Sequence, residues 1–169
     1  YKSSDNKLLV NTAYYEYDYT NQQQQIIVVN SSGALAGQTF NAGSSDMTGF
    51  ELETKYAVTD NILIDFSYYS AETEFKSFEL TDTRPPLSFT GNKMNYSPES
   101  SYNVGLTIYS DDDSSVFTMS YSQKDSYFMD PSNRFVSEQP AYGLLNMSYI
   151  KDFNDNLQMK IFCTNCTDE

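Results

Sequence analysis

The chain has 169 residues, and its 23 acidic against 10 basic side chains give a formal charge of −13, which argues against nucleic acid or an anionic membrane surface as partner. Its length suits one sizeable core rather than two domains, and no run approaches the roughly 20 apolar residues of a membrane-spanning helix. His is absent, which removes every imidazole-based mechanism or metal site, while 15 Tyr and 11 Phe set in alternating runs argue against disorder.

A two-residue period predicts seven strands along the chain. The first, over Leu9–Tyr19, carries Leu9, Ala13, Tyr15, Tyr17 and Tyr19 at odd positions against Thr12, Glu16 and Asp18 at even ones. The second sets Phe50, Leu52 and Tyr56 against Glu51, Glu53 and Lys55, and the third sets Ile62, Ile64, Phe66 and Tyr68 against Asp65, Ser67 and Tyr69. The fourth alternates Tyr102, Val104, Leu106 and Ile108 with Asn103, Gly105 and Thr107; the fifth, Phe117, Met119 and Tyr121 with Thr118, Ser120 and Ser122. The last two carry Leu145, Met147 and Tyr149, then Leu157, Met159, Ile161 and Cys163. Runs such as Lys7–Val29 and Asp60–Phe78 reach or pass the roughly 10 residues that a tilted strand needs to cross a bilayer.

The connections are expected to alternate in length. Thr59-Asp60, Asp111–Ser115 and Asp152–Asn156 read as tight acidic turns, and Asn30–Gln38, Glu79–Glu99 and Asp130–Ala141 as wide links. Pro85, Pro86, Pro98, Pro131 and Pro140 all fall in wide links, where no ladder donor is required. Short turns at one end and long loops at the other is the asymmetry of an outer-membrane barrel. Tyr17, Tyr19, Tyr68 and Tyr102 toward the long loops, and Tyr56 and Tyr149 toward the short turns, are the aromatics expected to face outward as two interfacial girdles.

Several stretches resemble motifs of the TonB-dependent outer-membrane receptors. Asn11–Gln22 is similar to the family's Ala-x-Phe/Tyr-x-x-Asp-Tyr-x-x-x-Gln strand, and Asn41–Glu53 to its Asn-Ala…Gly-x-Glu-x-Glu strand. Gly91–Pro98 followed by Tyr102-Asn-Val-Gly105 resembles its Gly…Pro…Gly strand entry. Tyr142–Met147 and Asn165–Glu169 resemble the Tyr-x-Leu-x-Asn and Asn-Leu-Thr-Asp elements near the receptor C-terminus, with Cys166 in place of the usual Leu.

The resemblance implies an all-β fold: an antiparallel transmembrane β-barrel segment, about seven strands of a 22-stranded barrel. Residues 1–169 would be a single partial domain, the C-terminal portion of that barrel. The chain opens on Tyr1-Lys-Ser-Ser4 without an initiator Met or signal peptide, so the plug, the coupling peptide and the last strand are expected to lie outside it. The resemblance further implies a non-enzymatic receptor in the bacterial outer membrane that captures a scarce ligand, most often a ferric siderophore. Its partners would be that ligand, outer-membrane lipid, and the TonB complex through the N-terminal region; no cofactor is implied. Two rivals belong to other classes: a small outer-membrane structural or adhesion barrel, and a soluble all-β carbohydrate-binding domain.

Few residues suggest chemistry. Cys163-Thr-Asn-Cys166 has redox or zinc spacing, but a single pair without His lacks the remaining ligands of a zinc site. On a continuous strand the two thiols would point to opposite faces, which disfavours a disulfide and leaves them without a role. Asp111-Asp112-Asp113 lacks the spaced ligands and later Glu of a calcium loop, so a solvated turn is the better reading. Glu51 and Glu53 share a strand face with Lys55 and are expected in a wet interior; without a nucleophile or an apolar setting they make no acid–base pair, so no catalytic residue is assigned. Ligand contacts are expected on the long loops and the strand ends beneath them. There the cations Arg84, Lys93, Lys124 and Arg134 and the aromatic Tyr127 could hold a bulky oxygen-rich anion by stacking and charge-assisted bonds.

Overall fold

Alternating side chains can separate into an apolar and a polar face only when neighbouring strands align in register. A computed structural model of the chain, describing residues 1–29, 33–81, 83 and 85–168, shows that alignment. In chain order the strands are β1 (Leu8–Val29), β2 (Leu35–Ala57), β3 (Ile62–Ser77), β4 (Glu79–Leu80), β5 (Leu87–Ser88), β6 (Ser100–Tyr109), β7 (Ser115–Lys124), β8 (Tyr127–Phe128), β9 (Glu138–Gln139), β10 (Tyr142–Asn154) and β11 (Leu157–Cys163). Seven of them form one antiparallel meander in the order β1-β2-β3-β6-β7-β10-β11, as the periodicity predicts. The pairs β4-β5 and β8-β9 are small ribbons within the wide links. Among the described residues no helix is long and apolar enough to cross a membrane, which says nothing about strands.

The register sorts the sheet into rungs. One apolar rung runs Leu8, Tyr56, Ile64, Leu106, Met119, Met147 and Cys163; the next toward the short turns runs Ile62, Ile108, Phe117, Tyr149 and Ile161. On the other face lie Glu51, Tyr69, Ser101 and Lys124, with Glu53, Ser67, Asn103 and Ser122 in the rung beside them. The apolar face is open. Ile161 is 60% exposed, and Phe66, Leu106, Phe117 and Ile161 belong to no buried cluster among the described residues. What core exists lies at the long-loop end, where Phe75 and Phe78, both fully buried, pack with Ala42, Leu80 and Phe89. The long loops therefore fold on themselves, while the sheet below them keeps its apolar face free.

Three sequence expectations need correction. The first concerns β1: Tyr17 pairs with Met47 and Tyr19 with Ser45, which places both tyrosines on the polar face rather than among the outward aromatics. The apolar side of β1 consists of Leu8, Val10, Thr12 and Tyr14, the even positions. Glu16 and Asp18 continue that side opposite Thr48 and Asp46, toward the long-loop end. β1 has 22 residues, about twice a bilayer crossing, so its upper half lies beyond any apolar band and obeys no simple face rule. Acids there misled the parity.

The second correction shortens the Asn30–Gln38 link. β2 already begins at Leu35, because Leu35–Gln38 pairs rung by rung with the strand-forming run Ile26–Val29.

The third concerns the cysteines. Cys163 and Cys166 are disulfide-bonded, with Cα atoms 5.6 Å apart. The opposed-face argument fails because β11 ends at Cys163 and the chain turns at once, with Asn165 in the left-handed region (φ 49°).

Candidate functional site

Polar side chains converge on one face of the sheet. A groove of about 440 Å³ opens there, lined by Glu51, Glu53, Tyr69, Ser101, Lys124 and Tyr142 among others. A second, of about 380 Å³, lies toward β11 between Asp65, Thr118, Asn146 and Lys160. Register brings the polar members of both linings together, since Glu51, Tyr69, Ser101 and Lys124 share one rung and Asp65, Gly105, Ser120 and Asn146 another.

The expected ligand-binding residues divide between this wall and the rim above it. Lys124 ends β7, pairs with Ser101 and Tyr142, and is part of the wall. Lys93 stands on the exposed rim, ion-paired to Glu99. Its backbone N–H donates to Asn133 Oδ1 at 2.7 Å, and Asn133 Nδ2 donates back to the Lys93 carbonyl at 3.0 Å. Arg134, the next residue, donates from Nε to Ser132 Oγ at 2.9 Å. Tyr127 pairs with Gln139 in the β8-β9 ribbon, and its ring lies 6.3 Å from that of Tyr96. Thus Lys93 and Arg134 are brought to one place on the rim, Tyr127 stands with Tyr96, and Lys124 lies in the wall. Arg84 falls outside the described residues.

Hydrogen bonds stitch the two wide links into one rim. Besides the Lys93–Asn133 pair, Asn92 Nδ2 donates to the Pro131 carbonyl at 2.8 Å and the Tyr96 N–H to the Phe128 carbonyl at 2.7 Å. Pro131 itself is buried beneath this junction. Within it, burial pushes the Asp130 carboxyl up, but hydrogen bonds from the Ser132 side chain and N–H prevail and hold it below the usual carboxylate range. The rim keeps an anion there, close to Arg134.

Sequence reasoning missed a row of aromatics on the polar face of the wall. Tyr15, Tyr17 and Tyr19 stack along β1 with ring centroids 5.2 Å and 5.8 Å apart. Tyr15 leans over Gly49 and lies beside Tyr69, which joins the row to the 440 Å³ groove. The i, i+2, i+4 spacing was visible; the strand's parity was not.

A seven-stranded meander with one apolar face, one polar face and long loops at a single end is a piece of barrel wall. The family model for the TonB dependent receptor-like beta-barrel matches residues 1–165. The chain belongs to that family. No curated protein sequence matches it significantly. Solved structures show the same fold. The siderophore receptor PiuA from Acinetobacter baumannii superposes with a TM-score of 0.78 at 20% identity, over 100% of this chain and 23% of that one. The ferric yersiniabactin uptake receptor FyuA from Yersinia pestis gives 0.76 at 18%, again over 100% and 23%. The ferric citrate transporter FecA gives 0.72 at 18%, over 98% and 25%. The chain therefore spans about a quarter of the receptors it matches, and its sheet is a partial barrel.

Proposed function

We propose that the chain is the C-terminal portion of the barrel of an outer-membrane active-transport receptor, with a ferric siderophore as the ligand taken up. The observation that carries this reading is the two-faced sheet: an open apolar face suited to lipid, backed by a polar face suited to a water-filled interior. Family membership supports receptor-type uptake, and the names of PiuA, FyuA and FecA support an iron complex as the cargo. The receptor works without bond chemistry in this segment: the wall and rim bind, and transport is driven through TonB contacts made by the N-terminal region of the whole protein.

The physical roles follow from the geometry. The rim cations Lys93 and Arg134 draw anionic oxygens toward the mouth, and Lys124 offers a further positive charge on the wall below. Glu51 and Glu53 hydrate the interior beneath. The test is iron-limited growth of a strain deleted for the full-length gene, with uptake of radiolabelled iron measured for a panel of siderophores. Loss of uptake for one chemical class, restored by the intact gene, is expected. Unchanged uptake of every complex refutes the iron reading.

A further inference from the structure

We propose that the Cys163–Cys166 disulfide is a redox latch on the end of β11: bonded, it stops the strand short, and reduced, it lets residues 164–168 run on along β10. The inference goes beyond ligand uptake and shares with that reading only the barrel wall.

Bridge and continued strand exclude each other. Residues of a strand advance about 3.3 Å each, so Cys163 and Cys166 would stand about 10 Å apart in one, whereas a disulfide spans at most about 7 Å between Cα atoms. Here the two Cα atoms lie 5.6 Å apart, and the chain reaches that distance by leaving the sheet. Asn165 and Asp168 are both held in the left-handed region, at φ 49° and 55°, which non-glycine residues adopt at a cost. The short strand is also out of keeping with a wall that crosses a bilayer. β11 has 7 residues where such a crossing takes about 9–11, and its partner β10 has 13. Met147 faces Cys163, so Tyr142 to Asn146 extend past the last rung, and Thr164 to Asp168 are equal in number to meet them.

The hydrogen bonds needed for the longer strand are already close at hand. Continuing the register puts Asn165 opposite Leu145. At present the Leu145 carbonyl accepts the Cys166 N–H at 2.8 Å, the Asn165 N–H donates to Asn146 Oδ1 at 3.0 Å, and the Asp168 N–H donates to the Asn165 carbonyl at 3.1 Å. In the continued strand Leu145 and Asn165 exchange both bonds, since the N–H and C=O of one residue share an edge. Alternation is kept as well, with Thr164, Cys166 and Asp168 falling on the polar face beside Lys160. The opening step is thiol–disulfide exchange. A thiolate of an external dithiol attacks one sulfur, the S–S bond breaks and a mixed disulfide forms, which the second thiol resolves. Two electrons and two protons thus pass to Cys163 and Cys166, and the dithiol is oxidised to its own disulfide. Cys163 is exposed and, with Thr164, borders the 380 Å³ groove, which gives a water-soluble dithiol its route.

The test uses the full-length receptor in isolated outer membranes, dithiothreitol as the reductant, and hydrogen exchange at the Leu145 amide read by mass spectrometry. Before reduction, alkylation should add no label, and Leu145 should exchange faster than Met147, which is already in the ladder. After reduction two labels are expected, with exchange at Leu145 slowed about tenfold and Met147 unchanged. Cys163→Ser with Cys166→Ser should show the slow Leu145 exchange with or without dithiothreitol. Unchanged or faster exchange at Leu145 in wild-type receptor whose two thiols have become reactive overturns the latch. Labelling of both thiols before any reductant overturns it too. The wild-type arm needs no variant, so it decides the matter even where the double Ser receptor fails to assemble. Iron uptake is measured separately, and failure of the latch leaves that reading standing.

Discussion

Gly49 sets the shape of the wall by what it lacks. A Cβ there would fall within the Tyr15 ring, so a larger residue must lift Tyr15 from β2. Gly49→Val is therefore expected to cost about 1–3 kcal/mol, the range of an overpacked site. Urea unfolding of the full-length receptor would measure it, with the exposed neighbour Thr48→Val as a control shifting by less than about 0.5 kcal/mol. Asp112 acts at the same scale in the tight turn. Hydroxyl donation from Ser110 and Ser114, each at 2.6 Å, and the Ser114 N–H at 3.1 Å hold its carboxyl well below the usual range. Its folded pKa thus lies below the unfolded value of about 3.9, so its contribution is complete above that pH and is lost as pH falls toward the lowered folded value. Asp112→Ala should destabilise the receptor equally at pH 8 and pH 5, and the difference from wild type should shrink below about pH 4; a difference unchanged at pH 3 would show that the hydrogen bonds do not favour the ionised form. The turn was legible in Asp111-Asp112-Asp113 because acids beside serines compete for backbone donors in any context. The parity of Tyr17 and Tyr19 was not legible, because Tyr14 and Tyr15 place an aromatic on each face of one strand and only pairing with β2 tells them apart.

Strands were the most readable elements. Ile62 to Ile108 to Phe117 to Tyr149 lie on one rung because each is the apolar partner of its own alternating pair, and period alone supplies that. What escaped was structure within links: the β4-β5 ribbon, the buried Phe78 and Phe89, and the bonds from Asn92 and Lys93 to the other loop depend on contacts between distant segments. The end of β11 is a further case. Cys163 pairs with Met147 at the end of the ladder, and beyond the turn the Cys166 N–H donates to the Leu145 carbonyl at 2.8 Å. The disulfide closes that turn. Alkylation of the peptide carrying Cys163 and Cys166 is expected to add no label before reduction and two labels after it. By loop-closure entropy, a ring this small contributes about 2 kcal/mol, so Cys163→Ser with Cys166→Ser should lower the unfolding free energy by about that much. Labelling of both thiols without reductant would remove the bridge from the native receptor.

At the scale of the molecule, one assignment orders everything else: which face meets lipid. Leu106 and Ser122 test it from neighbouring strands. Leu106 sits between Ile64 and Met119 on the apolar face, and Ser122 between Asn103 and Leu144 on the polar one. An arginine at Leu106 would place a guanidinium in the hydrocarbon region, which costs about 2–4 kcal/mol near a bilayer midplane and less toward its edges. The same residue at Ser122 would point into the groove beside Glu51, Glu53 and Tyr69, where water and carboxylates can solvate it. Leu106→Arg should therefore reduce the fraction of full-length receptor recovered in outer membranes as a heat-modifiable, protease-resistant barrel, whereas Ser122→Arg should assemble as wild type does. The reverse ranking would mean that the apolar face is packed against protein and the polar face is the exposed one. Because both substitutions add one positive charge, a difference between them reports on orientation rather than on the chain's charge of −13.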